Sequence, residues 1–202
     1  MARLVLLAVI LCAQIAACST SPKQIDLNQT QRNAAWIKHK SELDSIKHWQ
    51  LQGRFSAQNE TESWHGSIQW SQDQNQFAIH ISGPLNSGSF SLHGNARSAT
   101  LELAKDKIFQ APDPELLLET YTNLRLPVKN LRYWVIGLPS PDSDTRSTLN
   151  KNGLLGHLSQ KNWEISFKNY QKINNLRLPN KIFLENHEFD VRLVIKNWQI
   201  SS

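Results

Sequence analysis

The sequence is poor in the residues from which disulfides, metal sites and nucleophilic centres are usually built. It contains only two cysteines among 202 residues, and one of them, Cys12, lies in an apolar segment that we expect to be removed. Cys18 would then be the one cysteine left, which excludes a disulfide and a cysteine-based metal site. The seven histidines show no HExxH pattern and no short ligand spacing. We therefore predict no metal ion and no other cofactor.

Other familiar motifs are also absent from the sequence. It has no GxSxG, no pair of carboxylates distinguished by spacing, and no block of basic residues. The net charge is +5, or +4 without Arg3, with lysine and arginine scattered along the chain. We predict no catalytic residue and no nucleic-acid partner. One alternative is a His–Ser pair hidden in the hairpin that carries His80 and His93, which we otherwise interpret as surface histidines.

The N-terminus has the pattern of a bacterial lipoprotein signal. Arg3 precedes an apolar run from Leu4 to Ile15, and Ala16-Ala17 leads directly to Cys18. This run is too short for a convincing membrane span. An aliphatic residue and two small residues before cysteine resemble the lipobox, in which the cysteine receives S-diacylglycerol and N-acyl groups. An ordinary secretory signal with a chance cysteine is the alternative.

The rest of the chain divides by composition and periodicity. We predict a signal peptide over 1–17, a lipidated N-terminus and flexible polar tether over 18–32, and one folded domain over 33–202. Apolar residues at helical spacing predict a first helix over 33–46. No later segment sustains the ~18 apolar residues of a membrane helix.

Segments with the hydrophobic period of strands and segments with that of helices follow one another within the domain. Alternation of apolar and polar residues with turn-rich separators predicts strands at 49–55, 64–70, 77–81, 90–92 and 101–103, then at 154–160, 163–170, 181–186 and 189–198. Between the two groups, Asp113-Pro114 and Pro127 each begin a short helix. The order predicts two antiparallel meanders joined by helices.

A sheet of this size with one apolar face must bury that face. Since the helices are few, we predict a mainly β, α+β fold: a half-closed antiparallel β-barrel with a helical lid over an apolar cavity. The candidate cavity residues are the large apolar residues expected to face inward: Trp49, Leu51, Phe55, Ile68, Trp70, Phe77, Ile79, Phe90, Leu92, Leu117, Leu131, Trp134, Ile165 and Phe167. The alternative is that they form a filled core.

One connection between strands carries a single apolar residue among turn formers, Gly83-Pro84-Leu85-Asn86-Ser87-Gly88. A hairpin tip is normally exposed, so Leu85 could project as an apolar prong for lipid or a partner. Alternatively, Leu85 folds back onto the sheet or is one of many harmless exposed leucines.

Taken in order, these pieces resemble the LolB family of outer-membrane lipoprotein receptors. The matching motifs are Cys18 in its lipobox, Trp49-x-Leu51-x-Gly53-Arg54, Gly66-Ser67-Ile68-x-Trp70, Gly83-Pro84-Leu85, Leu126-Pro127-Val128, Leu131-Arg132-Tyr133-Trp134-Val135-x-Gly137-Leu138-Pro139, Gln160-x-x-Trp163, Leu178-Pro179, and Val191-Arg192-Leu193-Val194-Ile195-x-x-Trp198. Each motif is short, but together they span the mature chain.

The resemblance implies an unclosed barrel that takes lipoproteins from the periplasmic carrier LolA. It implies release of their acyl chains into the outer membrane by a lipid-anchored, monomeric protein that is not an enzyme. The family's membrane-insertion loop matches Gly83, Pro84 and Leu85, although Asn86 stands where glycine is expected next. Ser19 after the lipidated cysteine is compatible with outer-membrane delivery.

Two other classes stay open from the residues. One is a structural or assembly lipoprotein whose curved sheet binds a protein partner. The other is a lipid-processing enzyme with a cryptic site.

Overall fold

In the computed structural model, which describes residues 26–84, 88–141 and 143–201, the chain forms one eleven-stranded sheet and three α-helices. The strands are β1 (His48–Gln58), β2 (Ser63–Asp73), β3 (Gln76–Ser82), β4 (Phe90–Gly94), β5 (Ala99–Leu103), β6 (Lys107–Ala111), β7 (Arg146–Leu149), β8 (Leu155–Gln160), β9 (Trp163–Ile173), β10 (Leu176–Glu185) and β11 (Asp190–Ser201). The helices are α1 (Gln29–Asp44), α2 (Pro114–Thr122) and α3 (Val128–Trp134).

The sheet consists of two meanders joined through their longest strands. Its order is β6-β5-β4-β3-β2-β1-β11-β10-β9-β8-β7, and each neighbouring pair is antiparallel. In the described part of the chain β6 and β7 remain edges, so the barrel does not close. The predicted fold class is confirmed.

A bulge at the seam between the two meanders helps the sheet to curve. The register of β1 against β11 shifts between Gln52 and Gly53. A side chain at Gly53 would collide with the carbonyl oxygen of Val194, so only glycine allows this close approach. Bulges increase the local twist and bend the strand that carries them.

Alternation along the central strands divides the sheet into a buried and a solvated face. In β1 every second residue from Trp49 to Ala57 is buried, and the residues between them are exposed or half-buried. The buried residues join those of α2 and α3 in one hydrophobic core. Helix α1 contacts β7 and β10 and contributes Leu43 to the same core.

Helix α1 begins earlier than the sequence pattern predicts. The side chain of Asn28 accepts a hydrogen bond from the amide of Gln31, whose own side chain accepts one from the amide of Asn28. This capping box starts the helix at Gln29. Four residues of the expected tether over 18–32 are therefore helical, because a cap does not depend on apolar periodicity.

Two strands were missed by the sequence analysis. These are β6 and β7, the two edges of the sheet, with five and four residues. Edge strands are half-solvated and short, so they carry little alternation. No helix in the described part of the chain is both long and apolar enough to cross a membrane.

Candidate functional site

The concave face of the sheet and the segment that contains α2 and α3 enclose a small cavity. Its volume is about 30 Å³, and all of its lining side chains are apolar. A water needs roughly 10–15 Å³ and several polar partners, so this space favours a dry interior. Ligand pockets usually measure about 300–1,000 Å³. The interior is therefore about tenfold smaller than the smallest typical ligand pocket.

The structure brings half of the sequence-predicted cavity residues together around this space. Those that line it are Phe55, Ile68, Trp70, Ile79, Phe90, Leu92 and Leu131. Leu51, Leu117, Trp134, Ile165 and Phe167 are buried elsewhere in the core, and Phe77 is half-buried against it. Trp49 faces a separate groove, described below.

Sequence reasoning missed the other seven residues of the lining: Ile81, Leu118, Leu124, Leu126, Val128, Val191 and Leu193. Val191 and Leu193 follow the alternation of β11, and that pattern could have included them. Leu124 and Leu126 belong to the connection between α2 and α3, where no hydrophobic periodicity predicts which side chains face inward.

This connection covers the cavity, and its start is determined by local sequence. Asp113 caps α2 by accepting a hydrogen bond from the amide of Glu115 at 2.9 Å, and Pro114 occupies the first helical turn. Asn123 ends the helix in the left-handed conformation with φ 57°. The chain then crosses the cavity as residues 123–127, which we call the covering loop.

Exposed polar contacts hold the covering loop to two hairpin turns. The guanidinium of Arg125 contacts Glu188 in the β10–β11 turn at 3.0 Å and Glu119 of α2 at 2.9 Å. Asn123 donates a hydrogen bond to Glu62 in the β1–β2 turn at 2.8 Å. The hydrogen bond with Glu188 raises the pKa of Arg125 above its usual value. Exposed pairs of this kind contribute little to stability because water screens them, so the covering loop is weakly held.

The far end of α3 is held much more firmly. The buried side chain of Gln160 accepts hydrogen bonds from the Trp134 indole at 2.8 Å and from the Ser140 amide at 2.9 Å. It donates to the Ser140 carbonyl and to the Thr145 hydroxyl, both at 2.8 Å. These hydrogen bonds, which we call the Gln160 hub, connect α3 and the turn after it to β8. The lid over the cavity consists of α2, the covering loop and α3. We therefore expect it to move most easily at α2 and the covering loop.

The titratable groups with shifted pKa values do not line the cavity. Burial raises the pKa of Glu115, next to the covering loop, and lowers that of His39 on α1. Burial alone would raise the pKa of Asp113, but the amide of Glu115 and the ammonium of Lys129 lower it. In the parts that the structure describes, no group of three His, Cys, Asp or Glu residues could hold a metal ion.

The pair considered as a possible hydrolytic site lies on the solvated face of the sheet. His80 Nδ1 is 2.9 Å from Ser91 Oγ, and the contact is exposed. His93 faces Glu102 at 4.0 Å on a neighbouring strand. A catalytic serine needs a base oriented by a third group and shielded from water. Among the described residues no carboxylate forms an ion pair with His80, so the geometry favours the interpretation of surface histidines.

Two residues singled out from the sequence lie outside the described residues, namely Cys18 and Leu85. The base of the loop that carries Leu85 is described: the amide of Gly83 donates to Ser89 Oγ at 3.3 Å, and Pro84 is exposed. Strand β3 leads to this loop from the β2–β3 turn, so the loop lies at the end of the sheet toward which the β1–β2 and β10–β11 turns also point.

Comparisons of the sequence with known proteins agree with one another. A family model described as outer membrane lipoprotein LolB matches residues 47–198. The outer-membrane lipoprotein LolB of Stutzerimonas stutzeri is 35% identical over 194 residues, which are 96% of this chain and 94% of that protein. The protein of the same name from Pseudomonas aeruginosa is 39% identical over 164 residues, which are 81% and 80%.

Solved structures with little sequence similarity share the fold. A DUF1329 family protein from Desulfovibrio piger superposes with a TM-score of 0.57 at 8% identity, covering 85% of this chain and 92% of that one. A LolA superfamily protein from Nitrosomonas europaea gives 0.50 at 7% identity, covering 84% and 93%. At these identities the likeness extends to the fold alone.

Proposed function

Because the chain belongs to the LolB family of outer membrane lipoproteins, we propose that it receives lipoproteins from the periplasmic carrier LolA and releases them into the outer membrane. It is a lipoprotein-trafficking protein, anchored by lipid to the outer membrane. The observation that carries the proposal is the dry interior beneath α2 and the covering loop, which is lined by apolar side chains alone.

The interior supplies what an acyl chain needs during transit. Burying each CH₂ group is worth ~0.8 kcal/mol, so exposing a chain of about 15 such groups costs on the order of 10 kcal/mol. An apolar interior avoids this cost without nucleotide or covalent chemistry. The receptor must then bind acyl chains better than the carrier does and less well than a bilayer.

The cavity of about 30 Å³ is too small for an acyl chain, so the lid has to move before the cargo can enter. Acyl chains would enter as α2 and the covering loop move away from the concave face, while the Gln160 hub holds the end of α3. Leu118, Leu124 and Leu126 would leave the core in this step and then pack against the cargo. Their apolar surface is covered in both states, which keeps the motion inexpensive.

The parts outside the described residues complete the proposal. Cleavage after residue 17 would make Cys18 the lipidated N-terminus, and residues 19–28 would tether the domain that begins at α1. Leu85 would enter the inner leaflet and bring the domain's loop end to phospholipid, where the cargo is released. The protein would act as a monomer, and it would carry the same modification that it handles.

The proposal is tested with the mature chain carrying Cys18→Ala, which removes the anchor and leaves every described residue unchanged. We expect this protein to accept a fluorescent lipopeptide from LolA, as monitored by gel filtration of the mixture. Failure both to accept the lipopeptide and to compete for it would exclude the receptor function and favour a structural lipoprotein. Hydrolysis of the acyl ester would instead identify an enzyme.

The exposed contacts of Arg125, which hold the covering loop in place, lead to a separate prediction. Arg125→Gln removes the contacts with Glu188 and Glu119, so the covering loop should open more often. Because these contacts are exposed and weak, we expect lipopeptide uptake to become at most about fivefold faster in stopped-flow fluorescence.

The matched control is Arg97→Gln, since Arg97 is exposed in the β4–β5 turn and its side chain makes no ion pair with the described residues. Raising the salt concentration should accelerate the unmodified protein and leave Arg125→Gln unchanged. Equal uptake by Arg125→Gln and Arg97→Gln would contradict an opening at the covering loop.

A further inference from the structure

A second, open groove lies at the end of the sheet opposite the Gly83–Gly88 loop. The connection between α1 and β1, the β2–β3 turn, and α3 with the residues after it form its walls. Its volume of about 520 Å³ falls in the range of ligand pockets, which the closed interior cavity does not reach. We call it the end groove.

The floor of the end groove is mainly apolar, with the buried amide side chain of Gln72 as its polar member. Its apolar part consists of side chains that are almost fully buried, Leu43, Trp49, Ile136 and Leu138. The ring of Trp49 packs against that of Trp70, with centroids 5.2 Å apart, and Trp70 lines the interior cavity on its other side. The two tryptophans therefore separate an open apolar groove from the closed interior.

The rim of the end groove is cationic. Arg132 donates hydrogen bonds to the Asn75 side chain at 3.1 Å and to the Tyr133 hydroxyl at 2.7 Å, and both acceptors are neutral. Its buried Nε makes no hydrogen bond with the described residues. Of these residues no carboxylate forms an ion pair with Arg132, so the structure gives this guanidinium no anionic partner.

Lys47 adds a second positive charge to the same rim. Its ammonium donates to the main-chain carbonyl of Asp44 at 2.8 Å, whereas the Asp44 carboxylate lies 3.6 Å from Lys40. The groove therefore combines two cations with one carboxylate that is already engaged. Arginine and lysine bind phosphate oxygens through charge-assisted hydrogen bonds, which are stronger than neutral ones.

We propose that the end groove binds an anionic phospholipid, with its phosphate at Arg132 and Lys47 and the upper part of an acyl chain over Trp49. A free phosphate ion would leave the half-buried apolar surfaces of Ile46 and Tyr133, which also line the groove, in contact with water. A zwitterionic lipid would bring a choline cation to a rim that is already positive. An anionic amphiphile can place its apolar chain against the floor and its phosphate at the cationic rim. Its binding requires neither LolA nor lipoprotein cargo.

The test is calorimetric titration of the mature Cys18→Ala chain with dihexanoyl-phosphatidylglycerol below its critical micelle concentration. We expect binding at one site, with dihexanoyl-phosphatidylcholine at least about tenfold weaker. Hydrogen bonds to charged groups are worth ~1.5–3 kcal/mol, so Lys47→Gln and Arg132→Gln should each weaken phosphatidylglycerol binding roughly tenfold or more. The matched control, Lys107→Gln on the remote edge strand β6, should bind like the parent.

Several results would overturn the assignment. Equal affinity for the two lipids would reduce the groove to an apolar surface, and glycerol phosphate binding as tightly as the lipid would make it a free-anion site. Parent-like affinity in Lys47→Gln would remove the role of the rim. If Arg132→Gln unfolds, Lys47→Gln still tests the role of the rim. The described hydrogen bond of the Lys47 ammonium is an exposed one to a main-chain carbonyl, so we expect Lys47→Gln to fold. Lipopeptide uptake from LolA, measured in parallel, tests the proposed function independently.

Discussion

Leu85→Glu should leave acceptance of a lipopeptide intact and slow its release into liposomes by a factor of about 10–100. Acceptance depends on the apolar interior, which is lined by apolar side chains from the sheet, α2, the covering loop and α3. In the proposed mechanism, release requires the loop to enter the bilayer. A leucine favours that step, whereas a carboxylate opposes it by ~3 kcal/mol at the membrane centre and by less near the interface. A tenfold change corresponds to 1.4 kcal/mol.

The control for this substitution is Leu85→Met, which keeps an apolar side chain of similar size in the same loop. Release is measured as transfer of fluorescent lipopeptide from the preloaded receptor to sedimented liposomes. Release by Leu85→Glu at the rate of Leu85→Met would remove the proposed role of the loop. A loss of acceptance would show that Leu85 acts at the interior and not at the membrane.

Gln160→Leu should lower the free energy of unfolding by at least about 3 kcal/mol. The substitution leaves the Trp134 indole N–H, the Ser140 amide and the Ser140 carbonyl without their buried partner. Each buried polar group that loses its partner costs about 1–3 kcal/mol. Urea unfolding followed by tryptophan fluorescence measures the change.

The matched control is Gln50→Leu, at an exposed position of β1, and its effect should stay within about 0.5 kcal/mol. A similar effect at Gln50 and Gln160 would mean that the hub contributes little. If Gln160→Leu folds, it should also bind lipopeptide less selectively, because α3 is no longer fastened to β8. Unaltered binding together with lost stability would confine the hub to a structural role.

The lid over the cavity, which consists of α2, the covering loop and α3, is held differently on its two sides. One side of the lid is fastened by three buried hydrogen bonds and one half-buried hydrogen bond at Gln160, and the other is held by exposed contacts at Arg125 and Asn123. Buried, fully satisfied networks resist separation, whereas exposed ion pairs exchange readily with water. A lid built in this way opens from one side and closes on the same core.

The end groove gives the receptor a second contact with lipid chemistry. It lies at the opposite end of the sheet from the Leu85 loop, and a tryptophan pair separates it from the interior.

The sequence determined most of the secondary structure because it depends on local rules. Alternation predicted nine strands, and the caps at Asp113 and Pro127 predicted both central helices. The resemblance to LolB followed from short motifs in order, and the comparisons confirm it. Local rules failed where the signal was weak, at the edge strands β6 and β7 and at the Asn28 cap of α1.

Only the tertiary structure decided which apolar residues surround a cavity and which fill the core. Trp49 and Trp70 occupy equivalent inward positions on paired strands, yet one faces an open groove and the other the closed interior. Periodicity states which side of a strand is buried but not what lies opposite it. That depends on the curvature of the sheet and on where residues 123–127 cross it, and both arise from contacts between residues far apart in the chain.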